Sequence, residues 1–166
     1  MLSVDQWSTI REIFSRSKKS TGHYAIASID PDGSPHITPV GTVFLRDDLT
    51  GYYFDQYTSA LARNVDRDPR VCVMAVDSGR LFWFRSLVTG RFTAPPAIRL
   101  YGTVGALRAA TTSELDQVRR SVRATQSTKG GTMLWSDLRH VRDITFTEFR
   151  PVRYPVMMSG LLPDFS

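Results

Sequence analysis

The chain has 166 residues, 42% of them hydrophobic and 22% charged, which is typical of a globular protein and excludes a disordered or fibrous one. The length suits one domain over residues 1–166. The longest apolar run, residues 71–76, is far shorter than the ~20 residues that span a bilayer, and no signal-peptide pattern is present. We therefore expect a cytoplasmic protein without a membrane segment.

Basic residues outnumber acidic ones, 21 to 16, which gives a net charge of +5. Several arginines form two loose groups, at residues 63–70 and 119–123. Neither group is interleaved with the aromatic and glycine residues typical of nucleic-acid interfaces, so we interpret both as solvated helix faces. Nucleic acid is therefore an unlikely class of partner on composition alone.

The first predicted element is a helix over residues 1–15. Trp7, Ile10 and Phe14 recur there at helical spacing and form an apolar stripe. A stripe of this kind faces a core, so we expect the helix to cover one side of the domain.

A hairpin follows the helix. From residue 24 the apolar period changes to two, and the two predicted strands cover residues 24–29 and 35–45. The turn between them contains Pro31, which presets its first angle, and Gly33, which accepts a positive φ. Pro39 has no amide hydrogen, which places the second strand at a sheet edge or a bulge.

The rest of the chain is predicted to contain short strands and two more helices. One helix begins at Thr58 or Ser59, which can cap it, and ends before Pro69. The other predicted segments are strands at 52–55, 70–76, 81–85, 98–108 and 144–152, a helix at 111–123, a loop at 86–97 and a flexible link at 127–132. This order predicts a mainly β fold, an antiparallel β-barrel with accessory helices at the N-terminus and in a C-terminal helix–strand extension.

Metal or nucleophilic catalysis is not indicated. His23, His36 and His140 are scattered, with no second ligand at a recognised spacing, so no metal site is predicted. Cys72 lies within an apolar strand and is interpreted as a core residue rather than a reactive thiol. We assign no catalytic residue from the sequence.

The start of the helix near residue 58 has the character of an anion site. Helix N-termini offer unpaired backbone donors and a favourable dipole, so Thr58 and Ser59 can cradle a phosphate with Arg63 one turn later. The same residues also fit the alternative interpretation, an ordinary capped helix that carries a solvated arginine.

Three stretches together resemble the flavin-binding split barrels related to pyridoxamine 5'-phosphate oxidase. They are residues 27–40, residues 58–71 and residues 99–104, and the resemblance extends over about residues 20–110. It implies an antiparallel split β-barrel of the FMN-binding type and a homodimer whose two flavin sites lie at the subunit interface. The implied function is flavin-dependent hydride transfer to or from a small substrate.

The resemblance also implies which residues meet FMN. His36, Thr38, Pro39 and Val40 would line the isoalloxazine. Asp55, Tyr57, Thr58, Ser59 and Arg63 would lie near the tail of the cofactor. Trp83, Arg85 and Arg99 would approach from the partner subunit.

The chain departs from the family pattern at the phosphate. Thr38, Ala60 and Leu61 occupy positions that are usually basic in members that bind FMN. The C-terminal substrate contacts of the vitamin-pathway oxidases are also missing, so true pyridoxamine phosphate oxidase activity is not expected. Two alternatives remain open: a reductase that uses the deazaflavin coenzyme F420, its tail lying along Arg63 and Arg67, and a cofactor-free ligand-binding or interaction module.

An independent argument also predicts a homodimer. The predicted strand at 81–85 carries Phe82, Trp83 and Phe84 on both faces, and the following loop adds Leu87, Val88 and Phe92. This is more apolar surface than one small barrel buries, so an isologous dimer is expected to cover it.

Overall fold

Five helices and eight strands occur in the part of the chain that the computed structural model describes, residues 4–56, 59–159 and 161. The helices are α1 Val4–Thr21, α2 Ser59–Arg67, α3 Arg80–Thr89, α4 Thr112–Gln126 and α5 Lys129–Trp135. The strands are β1 Tyr24–Ile29, β2 Pro35–Val40, β3 Val43–Leu45, β4 Thr50–Phe54, β5 Arg70–Val76, β6 Ala97–Val104, β7 Arg108–Ala109 and β8 His140–Pro151. None of the described helices is long and apolar enough to cross a membrane.

All the strands belong to one antiparallel sheet with the order β2-β1-β5-β6-β8-β4-β3, and β7 pairs with β8. The two ends of this path, β2 and β3, are separated along the chain by residues 41 and 42 alone. The sheet must therefore curl until its two ends come close at residues 41 and 42, and because β2 and β3 do not pair with each other it is a half-barrel. This confirms the predicted antiparallel split barrel, and it places Pro39 on an edge strand as expected.

The predicted hairpin is confirmed residue by residue. β1 and β2 pair from Tyr24 with Val40 to Ile29 with Pro35. In the turn, the Asp30 amide donates to the Ser34 carbonyl over 2.9 Å, and Gly33 has a φ of 85°. A positive φ of this kind is adopted without strain by glycine.

The larger core lies between α1 and the inner face of the sheet. Trp7, Ile10 and Phe14 are at most 2% exposed, which confirms the predicted apolar stripe. The Trp7 indole Nε1 donates to the Arg46 carbonyl over 2.7 Å, so its one polar atom is also satisfied. The helix extends six residues beyond the predicted end, to Thr21.

A second core lies on the other side of β4, beneath α4 and α5. Tyr52 and Phe54 of β4 pack there with Val118 and Val122 of α4, whereas Tyr53 points into the larger core. β4 is therefore buried on both faces. The two helices cover the sheet beside β3 and β8.

The prediction of a strand at 81–85 is wrong, because this segment is part of helix α3. Phe82 and Trp83 pack against Phe92, while Leu81 and Phe84 remain exposed. A short run that is apolar throughout has no period that separates strand from helix. The predicted loop at 86–97 accordingly begins only after Thr89.

Two other segments also differ from their prediction. The strand predicted at 35–45 is interrupted at residues 41 and 42, where the chain crosses from one sheet edge to the other. The link predicted at 127–132 contains the start of α5, because the Thr128 hydroxyl accepts the Gly131 amide over 2.9 Å and caps the helix.

Candidate functional site

A cavity of about 350 Å³ lies where β2 ends and the chain crosses to β3. Its walls come from three parts of the chain. They are residues 38–42, the end of β4 with Gln56, and α5 with the residues that follow it: Thr38, Pro39, Val40, Gly41, Thr42, Phe54, Gln56, Leu134, Trp135 and Leu138. We call it the crossing pocket.

The crossing pocket exists because the sheet opens there. β2 pairs with β1 and with no other described strand, so the backbone groups on its free side are available to a ligand. A Cβ placed on Gly41 would lie 3.9 Å from Cη2 of Trp135 and 3.8 Å from Nζ of Lys18. These are ordinary van der Waals distances, so a Cβ would just fill the space between the indole and the lysine.

Lys18 lies behind this backbone segment. Its ammonium donates to the Gly41 carbonyl and, over 3.1 Å, to the Gly22 carbonyl. Burial lowers the pKa of the Lys18 ammonium. These bonds attach the crossing segment to the end of α1 and hold its backbone in place.

The apolar wall opposite β2 comes from α5. Trp135 and Leu138 pack at the margin of the second core, and Leu134 is 51% exposed. The wall is fixed because α5 packs closely against α4. The crossing pocket is therefore mostly apolar, with the Thr38 and Thr42 hydroxyls and the Gln56 amide as its polar side chains.

The start of α2 lies three residues after Gln56. Ser59 and Arg63 are exposed and lie four residues apart, on one face of the helix. Arg63 forms no hydrogen bond or ion pair with the residues that the structure describes. Arg67 differs, because its guanidinium donates to the Ile29 carbonyl over 2.6 Å. The predicted site residues Tyr57 and Thr58 lie outside the described residues.

Asp55 and His36 each have a partner within the chain. The Asp55 carboxylate receives a hydrogen bond from Arg142. The His36 ring Nδ1 lies 3.4 Å from a carboxylate oxygen of Asp30, whose other oxygen accepts a hydrogen bond from Asn64. Neither side chain lines the crossing pocket, so their contact with a cofactor stays a prediction.

The three residues predicted to act from the partner lie elsewhere on the molecule. Trp83 is on α3 and donates its indole N–H to the Asp77 carbonyl over 2.7 Å, and Arg85 is exposed on the same helix. Arg99 is on β6, and its Nε is buried without a hydrogen-bond partner among the described residues. Their predicted role across a dimer interface is not tested within one chain.

Comparison with known proteins decides the family. The family profile described as pyridoxamine 5'-phosphate oxidase matches residues 15–153. The chain belongs to this family. No curated protein matches the sequence.

Solved structures of this family's fold include proteins described by different bound groups. An FMN-binding protein from Syntrophomonas wolfei has 13% identity and a TM-score of 0.55, over 90% of this chain and 94% of that chain. An F420 reductase has 14% identity and a TM-score of 0.54, over 82% and 95%. HutZ, the heme storage protein from Vibrio cholerae, has 11% identity and a TM-score of 0.53, over 82% and 90%. At these identities the likeness establishes the fold alone.

Two positions of α2 that are usually basic in members that bind FMN are uncharged here, and the structure explains one of them. Leu61 is completely buried in the larger core, so its place on α2 faces the interior and presents no charge to a ligand. Ala60 is half-buried and equally uncharged. Arg63 is therefore the first cation of α2 that reaches the surface.

Three of the residues that the resemblance implies for the flavin ring lie together on one wall of the crossing pocket. They are Thr38, Pro39 and Val40, and their contact with a cofactor stays a prediction. The lining residues that sequence reasoning did not name as site residues are Gly41, Thr42, Phe54, Gln56, Leu134, Trp135 and Leu138. The one local signal for α5 is the threonine cap at Thr128, and it does not indicate which residues face the pocket.

Proposed function

We propose that this chain binds FMN in the crossing pocket and uses it for hydride transfer to or from a small substrate. The observation that supports the proposal is the place of the pocket in the chain: its lining includes Gln56, three residues before α2 begins at Ser59, so a mostly apolar cavity and a helix start that suits an anion follow each other closely along the sequence. When bound, FMN supplies the hydride chemistry itself.

The composition of the pocket suits a planar aromatic ring. Its volume of about 350 Å³ falls within the usual range for ligand sites, and its walls are mostly apolar. Trp135 offers an indole to one side of a ring. The hydroxyls of Thr38 and Thr42 and the free backbone groups of β2 are available to polar atoms at the edge of the ring.

The part of the proposed site that would bind the phosphate carries fewer positive charges than is usual in family members that bind FMN. Ser59 and the first amides of α2 provide neutral donors, and Arg63 provides one full positive charge. Ala60 and Leu61 add none. The donor set fits a phosphate, and its single cation predicts a modest affinity.

The chain's own contribution to the reaction would be binding, orientation and exclusion of water. The described residues that line the crossing pocket include no titratable side chain. A proton required by the substrate would therefore come from solvent or from a group on the partner subunit. Leu134, Trp135 and Leu138 would keep bulk water away from one side of the ring.

A homodimer would complete this site. The outer face of the sheet carries a row of side chains paired across neighbouring strands: Ile37, Ala27, Cys72 and Tyr101. Ile37 is 68% exposed. Cys72, predicted as a core residue, instead lies half-buried on this outer face, where partial burial raises the pKa of its thiol. A second copy on this face would cover the row and bring Arg99 of the partner subunit close to the site.

The decisive experiment is a titration of the purified protein with FMN, coenzyme F420 and haem, followed by absorbance and flavin fluorescence. We expect FMN to bind in the micromolar range. Trp135→Ala should weaken binding of FMN about tenfold, because the indole wall is lost. The matched control is Met133→Ala, which changes an exposed side chain of α5 that does not line the pocket.

Each alternative predicts a different result in the same titration. Binding of F420 without FMN would favour the deazaflavin reductase. Binding of haem alone, seen as a Soret band, would overturn the flavin proposal. If none of the three binds at high micromolar concentration, the cofactor-free module becomes the explanation.

A further inference from the structure

A second cavity, of about 390 Å³, lies between α1, α3 and the loop that follows α3. It shares no lining residue with the crossing pocket. Its polar lining consists of three arginines and three hydroxyl side chains: Arg16, Arg85, Arg91, Ser86, Thr89 and Thr93. We call it the arginine pocket.

The local fold explains how these side chains meet. Phe82, Arg85, Ser86 and Thr89 recur on α3 at spacings of three and four residues, so they lie on one face of the helix. Gly90 then adopts a φ of 69° and ends the helix, which turns the chain back along the same face. The Thr89 hydroxyl donates to the Arg85 carbonyl over 2.8 Å and approaches the Arg91 carbonyl at 3.2 Å.

The charges of the arginine pocket are poorly balanced within the chain. Arg85 and Arg91 form no ion pair with any described residue. Arg16 Nε lies 3.7 Å from a carboxylate oxygen of Asp77, beyond hydrogen-bond distance, and this buried nitrogen has no hydrogen-bond partner among the described residues. The lining of the arginine pocket therefore holds three cations and no acidic side chain.

Two arginines on another side of the sheet show the opposite pattern. Arg46 and Arg108 both donate to Glu114 and to Asp143 at 2.7 to 2.9 Å. These guanidinium groups complete a network inside the protein, whereas those of the arginine pocket face a cavity open to solutes. A guanidinium matches phosphate and carboxylate groups with paired N–H donors.

We propose that the arginine pocket binds a small, multiply charged oxyanion, either a phosphorylated or a polycarboxylate metabolite. Arg85 and Arg91 would contact the anion directly, and Arg16 would approach it from α1. The ring of Phe82, which carries the Arg16 guanidinium 5.9 Å above its centroid, forms the apolar floor. Within one chain the arginine pocket shares no lining residue with the crossing pocket, and binding of an anion there does not require bound FMN.

Calorimetric titrations with pyrophosphate and with citrate, at constant ionic strength, test the proposal and distinguish the two anion sources. We expect at least one of them to bind, and we expect Arg85→Ala and Arg91→Ala each to weaken that binding about tenfold or more. Both arginines are exposed, so neither change should alter the melting temperature greatly. Arg123→Ala removes an equally exposed arginine from α4 and is expected to leave the affinity unchanged.

Two results would overturn the proposal. One is no binding of either anion at about 10 mM, or equal affinity in the wild type and all three variants, which would mean that the arginines are only solvated. The other is a selective loss of FMN binding in Arg85→Ala and Arg91→Ala with unchanged binding of both anions. In that case these arginines would belong to the flavin site of the partner subunit.

Discussion

Arg142 and Asp55 form an ion pair in which Nε and Oδ2 are 2.5 Å apart and both side chains are only 5% exposed. Asp55 directly follows β4, and Arg142 lies on β8, the strand paired with it. The same guanidinium donates from Nη1 to Asp66 on α2 over 2.7 Å. One buried arginine therefore ties the end of β4 to the last turn of α2.

The two carboxylates that pair with Arg142 should differ strongly in their contribution to stability. Asp55→Asn leaves a buried guanidinium poorly paired and should lower the free energy of unfolding by about 3 kcal/mol. The Asp66 side chain is 64% exposed, so Asp66→Asn should cost less than about 1 kcal/mol. Urea unfolding followed by tryptophan fluorescence measures both. Equal losses in the two variants would contradict this difference in burial.

A second ionic network should make the protein sensitive to acid. Arg108 hydrogen bonds lower the pKa of Glu114 to about 2, and they also lower the pKa of Asp143 to about 2. Each folded-state pKa lies below the unfolded value, so the stabilisation is complete above about pH 4.5 and is lost as the pH falls towards 2. We expect the free energy of unfolding to decrease through this range.

Glu114→Gln tests this acid sensitivity. Its side chain is 9% exposed, and its removal should cost about 2 kcal/mol at pH 7 because the two arginines lose a charged acceptor. The difference between this variant and the wild type should shrink as the pH falls from 4.5 to 2. Glu148→Gln, at an exposed ion pair with Arg150, is the control and should follow the wild type. Parallel pH curves for Glu114→Gln and the wild type would contradict the proposed role of the network.

The elements that the sequence predicted correctly are those with strong local signals. Trp7, Ile10 and Phe14 share one helix face, and Gly33 sits in a turn between two alternating strands, so their structure depends little on the rest of the chain. The capped helix predicted at 111–123 is also present. The amide of Thr111 donates to Glu114 over 2.9 Å in a capping box.

The elements that were missed depend on distant contacts. Phe82 and Trp83 lie in a short apolar run, and the rings that they pack against, Phe92 and Tyr154, come from later parts of the chain. Likewise, residues 127–132 were predicted to be a flexible link, whereas the helix that starts there ends at Trp135, which packs against the second core. The wall that α5 adds to the crossing pocket could therefore not be read from local pattern.

Replacing Arg63 should weaken FMN binding, whereas replacing Arg67 should lower the stability of the fold. If Arg63 pairs with the cofactor phosphate, Arg63→Ala should weaken FMN binding by about 1.5 to 3 kcal/mol, roughly tenfold or more, with little change in folding. Arg67→Ala removes the bond to the Ile29 carbonyl and should lower stability slightly while leaving FMN affinity nearly unchanged. Parallel fluorescence titrations measure both. An unchanged FMN affinity in Arg63→Ala would identify it as a solvated helix residue.

The proposed dimer can be tested through Ile37 on the outer face of the sheet. The apolar residues near 81–87 lie on α3, where only some of them are buried. Phe82 and Trp83 pack internally, while Phe84 and Leu87 are exposed. The outer sheet face adds the row that begins at Ile37. Both surfaces are unusual for a monomer, because contiguous exposed apolar patches commonly mark interfaces.

We expect the wild type to sediment at micromolar concentration as a dimer of 18.7 kDa chains and Ile37→Glu to sediment as a monomer. Ile37 is 68% exposed, so a glutamate there can stay solvated in a monomer with an unchanged circular dichroism spectrum, but it would be desolvated without a partner in a dimer. Leu107→Glu, at a 48% exposed position in the loop after β6, is the control and should remain dimeric. If FMN binding requires the partner, it should be lost in Ile37→Glu alone. A wild type that stays monomeric at micromolar concentration would remove the dimer, and the shared flavin site with it.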